Sequence, residues 1–538
     1  MDIRTLLGKA VYALQHGDTH TASSLAAQVL AKLPNEPNSL QILGNVSAQQ
    51  GLYADALKLY RQGLSANPNH VHLLNFAGLA AKNMDDFEAA QEYFQQAITV
   101  DPNYYHAAYN LANLYKSEYH FDEAERLLRE VIIAAPQFLT AQTSLADLLE
   151  QSHRLAEAES ISRRVIATDS NNFLAHLTLA NIAVRHKQWA KVKHLLLPLI
   201  ESGQLSTINF SVAVGLVAQA DEKQGEFSTA FARFTQANQA LQQIYQHDYQ
   251  GAESIYAPTQ VQSMLRYIEH IEPREEVSGD GQSSLRQPVF LVGFPRSGTT
   301  LLDQVLSSHS DICVLEEKEN LAFLYQTYDW HSDKLDALFN LTDAQRKDLQ
   351  QQYWQIIDRQ PGVESATIVI DKLPLNLVML AHIYCVFPHA KVIFALREPR
   401  DSVISCFQQR FQMNRAMYEM LTIEGAARYY DLVMRYADTV LSKLPLQVHK
   451  IRYEDVVADL DSESKALARF LDIEWQDAML DYQTTARGRA INTPSAKQVI
   501  QPLYTSSQKK YQRYADVIEN TNAYAALQRW SDYWGYAR

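Results

Sequence analysis

Positions 288–302 read PVFLVGFPRSGTTLL, and this stretch decides the fold of the C-terminal half. Its first part, 289–292, is apolar and β-branched, which predicts a buried strand. Gly293 and Gly298 bound the turn that follows, and Thr299 opens a helix with apolar residues behind it. Such a strand, loop and helix N-terminus bind phosphate-like anions, because backbone N–H groups and the helix dipole face the ligand.

The loop keeps one feature of nucleoside-triphosphate loops and lacks another. Gly293 and Gly298 have the expected five-residue spacing, but Thr299 stands where those loops carry a lysine. The positive charge lies at Arg296 instead. The loop therefore predicts an anion site, disfavours a P-loop kinase or ATPase, and favours another phosphate-like ligand.

The same run resembles the 5′-phosphosulfate loop of sulfotransferases, most closely that of the tyrosylprotein sulfotransferases and their bacterial relatives. The resemblance implies 3′-phosphoadenosine 5′-phosphosulfate as the sulfuryl donor, with no metal. It also implies that the donor is held by the loop residues, which are Arg296, Ser297, Gly298, Thr299 and Thr300.

A second motif follows the predicted strand 391–396. Arg397 stands at the carboxyl end of this strand, where open α/β sheets bind ligands, and Ser405 follows eight residues later on a predicted helix. An arginine fork and a serine hydroxyl both suit a phosphate group, although the motif alone could be a plain start of a helix. The pair resembles the 3′-phosphate motif of sulfotransferases.

The resemblance also implies catalytic residues. Glu317 lies 21 residues after Arg296, at the spacing of the family's general base, and Glu316 is the alternative. Lys372, at the end of a predicted strand, matches the lysine that neutralises the leaving nucleotide's bridging oxygen. Ser495 matches a serine that donates to the same region, and Arg296 is expected to stabilise the transferring group.

Three further positions bear on the site. Tyr453 and Lys510 match a tyrosine and a lysine that contact the donor in the family. His309 is the residue type that small-molecule sulfotransferases use as base, but its position inside the helix after the loop predicts a structural role.

The N-terminal half repeats with a period of 34 residues. Small residues recur in one column, and prolines recur in phase with them: Ala22, Ala56, Ala90, Ala124 and Ala158, with Pro34, Pro68, Pro102 and Pro136. This pattern is typical of tetratricopeptide helix–turn–helix units, whose small residues allow close helix packing. The prediction is a superhelix whose concave face binds an acceptor protein or partner; a structural or homodimerisation arm is the alternative.

The fold class predicted is α followed by α/β. Residues 1–271 are expected to form six to seven tetratricopeptide repeats, 272–284 a linker, and 285–538 a P-loop-like, parallel-sheet sulfotransferase domain. The strand runs 289–292, 366–370, 391–396 and 447–451 alternate with helical patterns, which predicts a parallel sheet.

Composition limits the remaining options. The chain has 538 residues and a net charge of −13, which disfavours nucleic acid as a partner. The start is not typical of a signal peptide and no long apolar run occurs, so the chain is expected to be cytoplasmic with no membrane span. The acceptor stays open between a protein tyrosine, a glycan and a small-molecule hydroxyl. An inactive scaffold that senses the nucleotide is the alternative from another class.

Overall fold

A computed structural model describes residues 2–275, 286–488, 508–519 and 524–536. The chain divides into two compact units, an N-terminal unit, Met1–Gln204, and a C-terminal unit, Leu205–Arg538.

The N-terminal unit is a succession of antiparallel helix pairs, each pair spanning one 34-residue period. The helices are α1 Ile3–Gln15, α2 Thr19–Leu30, α3 Pro37–Gln49, α4 Tyr53–Ala66, α5 Val71–Lys82, α6 Phe87–Val100, α7 Tyr105–Ser117, α8 Phe121–Ala134, α9 Leu139–Gln151, α10 Leu155–Thr168, α11 Phe173–Arg185 and α12 Trp189–Glu201. The prolines that recur at this period lie just beyond the ends of α2, α4, α6 and α8, as the sequence predicted.

The small residues of the repeat lie where helices approach most closely. All five alanines of the column at 22, 56, 90, 124 and 158 are fully buried. A Cβ atom added at Gly44 would stand 2.3 Å from the Tyr60 ring, and one at Gly78 would stand 2.6 Å from the Phe94 ring. These contacts exclude larger side chains and explain why the period is visible in the sequence.

The turn inside each helix pair also repeats, although its residue type does not. The turn residue has a positive φ, between 56° and 77°, in every period: Gly17, Gly51, Asp85, Tyr119, His153 and Lys187. Only the first two are glycines. The backbone conformation therefore recurs in the later repeats although a glycine no longer marks it in the sequence. A side chain in this conformation costs about 1–2 kcal/mol, which the packing of the helix pair offsets.

The C-terminal unit is built on a sheet of five parallel strands in the order β2-β3-β1-β4-β5. The strands are β1 Val289–Gly293, β2 Ile312–Glu316, β3 Ile368–Lys372, β4 Lys391–Leu396 and β5 Gln447–Arg452. Central β1 is buried along its whole length, as a strand covered on both faces must be. Gly293 is in register with Ala395, so the segments after β1 and β4 leave the sheet side by side.

Helices cover both faces of the sheet. They are α16 Thr299–Ser307, α17 Ala322–Thr327, α18 Ser332–Phe339, α19 Asp343–Ile357, α20 Leu380–Val386, α21 Pro399–Phe407, α22 Arg415–Glu419, α23 Ile423–Lys443, α24 Tyr453–Ala458, α25 Leu460–Leu471, α26 Tyr482–Gly488, α27 Ala515–Ile518 and α28 Tyr524–Tyr533, with short 3-10 helices at Pro374–Met379, Asp477–Met479 and Lys510–Tyr514.

Strand β2 is absent from the sequence-based prediction, which had a strand at each of the other four positions. Its last residue and the three after it, 316–319, are charged, so the sequence there resembled an acidic helix start. Pairing with β3 along its full length makes Ile312–Glu316 a strand instead.

Three helices that precede the sheet also belong to the C-terminal unit: α13 Thr207–Lys223, α14 Phe227–Tyr249 and α15 Pro258–His270. The Asn238 side chain donates to the Phe407 carbonyl at 2.8 Å, and Tyr429 donates to the Tyr256 carbonyl at 2.7 Å. The packing boundary therefore lies between residues 204 and 205. The predicted end of the repeats at residue 271 stays a prediction about the repeat pattern.

The predicted linker begins in contact with the same unit. Arg274 donates its backbone N–H to the Lys443 carbonyl at 2.8 Å and a guanidinium N–H to the Phe339 carbonyl at 2.8 Å. Within the described ranges, no helix is both long enough and apolar enough to cross a bilayer.

Candidate active site

The loop between β1 and α16 has two residues in the left-handed region. Gly298 caps α16 with φ 97°, and Arg296 has φ 68°. Thr299 and Thr300 form the first turn of the helix, and both are buried. The loop thus has two left-handed residues directly before a helix N-terminus, the kind of backbone that binds phosphate-like anions.

The Ser297 hydroxyl lies at the centre of this loop. The residue is 2% exposed, and its Oγ has no hydrogen-bond partner among the described residues. A buried hydroxyl without a partner costs about 1–3 kcal/mol. An anion seated on the loop would supply the missing acceptor, so the loop fits a phosphate-like ligand.

Arg296, Arg397 and Ser405 are joined by hydrogen bonds. Arg397 follows β4 and donates from Nη1 to the Arg296 carbonyl oxygen at 3.0 Å. Arg296 donates from Nε to the Ser405 Oγ, on α21, at 2.9 Å. Two motifs whose bonded residues are 101 and 109 positions apart in the sequence therefore meet at one edge of the sheet.

Tyr453 begins α24, immediately after β5, and lies against both motifs. The Arg397 guanidinium carbon is 5.0 Å from the centroid of its ring. A Cβ atom at Gly298 would be 2.7 Å from Tyr453 Cδ2. The tyrosine thus supports Arg397 from one side and excludes any side chain at Gly298.

Lys372 and Glu317 meet at the carboxyl ends of β3 and β2. Lys372 Nζ lies 3.1 Å from Glu317 Oε1 and 3.5 Å from Glu316 Oε1. The Glu317 backbone N–H donates to the Lys372 carbonyl at 2.7 Å, and its φ is 48°. The Glu317 side chain is about one-third exposed and that of Glu316 is 13% exposed. Glu317 is therefore the more accessible of the two alternatives.

Asp303 is a third carboxylate of this cluster, and it is not among the site residues predicted from the sequence. It lies on α16, is 1% exposed, and its Oδ2 is 3.5 Å from Lys372 Nζ. Burial opposes the charged form of Lys372, but Asp303, Glu317 and Glu316 outweigh it, and the pKa of Lys372 is raised. An acidic residue among the apolar positions 301–306 was the available signal, since a buried carboxylate requires a partner.

Lys510 begins the 3-10 helix Lys510–Tyr514. Its Nζ forms an ion pair of 2.8 Å with Glu222, on α13. Burial lowers the pKa of Lys510, and the nearby charge of Arg397 lowers it further, while Glu222 opposes the shift.

Two further positions considered in the sequence are His309 and Ser495. His309 is 2% exposed and is engaged by the Glu474 carbonyl at 2.7 Å and the Asp311 backbone N–H at 3.1 Å. Both nitrogens of its ring are therefore occupied by backbone groups. Ser495 lies outside the described residues.

Comparisons with known proteins match the two parts of the chain to different families. Residues 288–477 match a family described as "Sulfotransferase family". Residues 7–71, 83–148 and 120–190 match families described as "Tetratricopeptide repeat". The chain therefore combines tetratricopeptide repeats with a sulfotransferase-family domain, as its sequence predicted.

Individual relatives are distant. An uncharacterized protein of Aquifex aeolicus is 27% identical over 308 residues, which cover 54% of this chain and 38% of that protein. Protein-tyrosine sulfotransferase 1 of Danio rerio is 26% identical over 234 residues, which cover 41% of this chain and 65% of the relative. The matched regions thus span less than two thirds of either relative. A solved tetratricopeptide repeat protein from Parabacteroides merdae is 17% identical with a TM-score of 0.38, covering 44% of this chain and 93% of that one.

Proposed function

We propose that the C-terminal unit transfers a sulfuryl group from 3′-phosphoadenosine 5′-phosphosulfate to an acceptor hydroxyl. The observation that carries this proposal is the Lys372–Glu317 pair, with 3.1 Å between Nζ and Oε1, at the same edge of the sheet as the anion loop. A base and a buried cation at that edge are what the reaction needs in addition to donor binding. The match of residues 288–477 to the sulfotransferase family supports the same reaction.

The donor is proposed to occupy the two joined anion sites. The loop amides, the Ser297 hydroxyl and Thr299 would hold the 5′-phosphosulfate at the N-terminus of α16. Arg397 and Ser405 would hold the 3′-phosphate. The hydrogen bond from Arg397 to the Arg296 carbonyl makes both sites one structural element, which favours a nucleotide that carries both groups.

In the proposed reaction the acceptor oxygen attacks the sulfur as Glu317 takes the hydroxyl proton. The bond between sulfur and the bridging phosphate oxygen breaks, and its electron pair stays on that oxygen. Lys372 and Arg296 neutralise the developing negative charge. The products are a sulfate ester and 3′-phosphoadenosine 5′-phosphate, and catalysis consists largely of positioning and charge stabilisation.

A protein tyrosine is the acceptor we propose first. The support is the similarity to protein-tyrosine sulfotransferases, together with repeats of a type that binds other proteins. Glycan and small-molecule hydroxyls are the alternative acceptors. Cytoplasmic location and homodimerisation stay predictions.

Calorimetric titration with 3′-phosphoadenosine 5′-phosphate, alongside ATP, tests the donor. We expect binding of the bisphosphate and much weaker binding of ATP, since Thr299 replaces the lysine that reaches the β- and γ-phosphates. A protein that prefers ATP would contradict the proposal. A labelled-sulfate donor incubated with protein and glycan fractions then identifies the acceptor class, and binding without any transfer would favour a nucleotide-sensing scaffold.

A further inference from the structure

Glu222 lies in the last turn of α13, before the sheet begins and outside the matched sulfotransferase region at 288–477. It is buried, although glutamate is among the residues least often found in that state. Residues 1–271, which include α13, are those predicted to form the repeats. The structure brings this carboxylate to a residue of the predicted donor site.

Three side chains donate to one oxygen of Glu222. Its Oε1 accepts from Lys510 Nζ at 2.8 Å, from the Tyr514 hydroxyl at 2.6 Å and from Gln408 Nε2 at 3.1 Å. Gln408 also donates to the Tyr514 hydroxyl at 2.8 Å. A buried carboxylate is stable only when it is paired and hydrogen-bonded in this way, so the four groups form one network.

Helix α21 also contacts the segment that carries Lys510. The Tyr511 backbone N–H donates to Asp401 Oδ1 at 2.8 Å. The Arg400 guanidinium carbon lies 3.8 Å from the centroid of the Tyr511 ring. Helix α21 therefore holds Tyr511, whereas α13 holds the side chain of Lys510. Glu222 supplies the contact that orients the ammonium of Lys510.

Helix α21 also carries Ser405, and Gln408 follows at its C-terminal end. Glu222 therefore contacts both the lysine segment and the helix of the 3′-phosphate motif. Lys510 interacts electrostatically with Lys223 and Arg397, which are charges of its own sign. Without a carboxylate beside it, the partly buried ammonium of Lys510 would be repelled by these cations or would lose its proton.

We propose that Glu222 is a positioning residue of the donor site, which holds the Lys510 ammonium in place for a phosphate of the nucleotide. The proposal rests on the proposed function, because it requires Lys510 to contact the donor. It makes helix α13 part of the donor site, and it assigns a role in sulfuryl transfer to a residue outside the matched sulfotransferase region.

The test is calorimetric titration of the full chain with 3′-phosphoadenosine 5′-phosphate. Glu222→Gln keeps the size of the side chain and removes its charge. We expect its affinity for the bisphosphate to fall about tenfold, the effect of losing one charge-assisted contact. The matched control is Glu253→Gln, an exposed glutamate of the same unit, whose affinity should equal that of the wild type.

A double substitution separates positioning from a general structural role. If Glu222 acts through Lys510, Glu222→Gln combined with Lys510→Met binds no more weakly than Lys510→Met alone. Additive losses, an unchanged affinity of Glu222→Gln, or tighter binding by it would each overturn the positioning role. Failure of the wild type to bind would overturn the donor assignment as well, so the two failures are distinguishable.

Discussion

The guanidinium of Arg397 donates a hydrogen bond to the backbone carbonyl oxygen of Arg296, across 3.0 Å. This contact joins the segment after β4 to the loop after β1. Because Arg296 in turn donates to Ser405, on α21, the three residues behave as one element. The two motifs that the sequence predicts to bind phosphate are therefore linked by hydrogen bonds in the folded protein.

The coupling predicts that Arg397→Lys weakens donor binding although the charge is kept. A lysine is a point charge and cannot donate to the Arg296 carbonyl and to a phosphate in the fork geometry of arginine. We expect the calorimetric affinity for 3′-phosphoadenosine 5′-phosphate to fall about tenfold. Arg359→Lys, an exposed arginine, is the control. Equal affinities for the two variants would remove Arg397 from the donor site.

The choice of base is tested by two neighbouring substitutions. Glu317→Gln should lower the rate of labelled-sulfate transfer about 10²–10⁴-fold, the usual contribution of a general base. Its affinity for the bisphosphate should stay close to that of the wild type. Glu316→Gln is the control of matched chemistry, and both residues contact Lys372. A larger loss of transfer in Glu316→Gln would reverse the assignment.

Two glycine-to-alanine substitutions, one in the loop and one in α13, should change the free energy of unfolding in opposite directions. Gly298→Ala places a Cβ atom 2.7 Å from Tyr453 Cδ2 at a φ of 97°, so it should lower the free energy of unfolding by about 1–3 kcal/mol. Gly215 lies inside α13 with no atom within 4 Å of an added Cβ, and Gly215→Ala should raise that free energy by about 0.5–1 kcal/mol. Urea unfolding measures both. A tolerated Gly298→Ala would show that the loop conformation does not require glycine.

The buried carboxyl of Asp371 predicts a pH dependence of stability. Asp371 is 0% exposed on β3, and Tyr353 donates to its Oδ2 at 3.2 Å. Burial raises the pKa of Asp371 to about 7. Between about pH 4 and pH 7 the Asp371 carboxyl keeps a proton in the folded state that it has lost in the unfolded state. The free energy of unfolding therefore falls as the pH rises from about 4 to about 7, by up to about 1.4 kcal/mol per pH unit.

Asp371→Asn removes this titration. We expect its free energy of unfolding, relative to the wild type, to rise between pH 5 and pH 7 and to level off above pH 7. Asp248→Asn, an exposed aspartate of the same unit, should follow the wild type. Parallel pH profiles for Asp371→Asn and the wild type would mean that the carboxyl ionises freely in the fold.

Patterns local to the sequence predicted much of this protein. The period of 34 residues predicted the helix pairs, since its small residues are required by close packing, as at Gly44 and Gly78. The run 288–302 predicted β1, its loop and α16, because backbone conformation and residue type are tightly linked there. Strand β2 escaped prediction because its strand character depends on pairing with β3 rather than on its own residues.

What the sequence determined by itself was the kind of most elements, their order and the residues predicted to bind an anion, since these follow from period, glycine positions and charge. Only the tertiary structure decided which side chains meet. Asp303 pairs with Lys372, and Glu222 pairs with Lys510. The sequence around each carboxylate does not indicate which lysine is its partner. The physical reason is that a buried charged group is stable only when it is paired with a group of opposite charge. Tertiary packing can bring that group from any part of the chain.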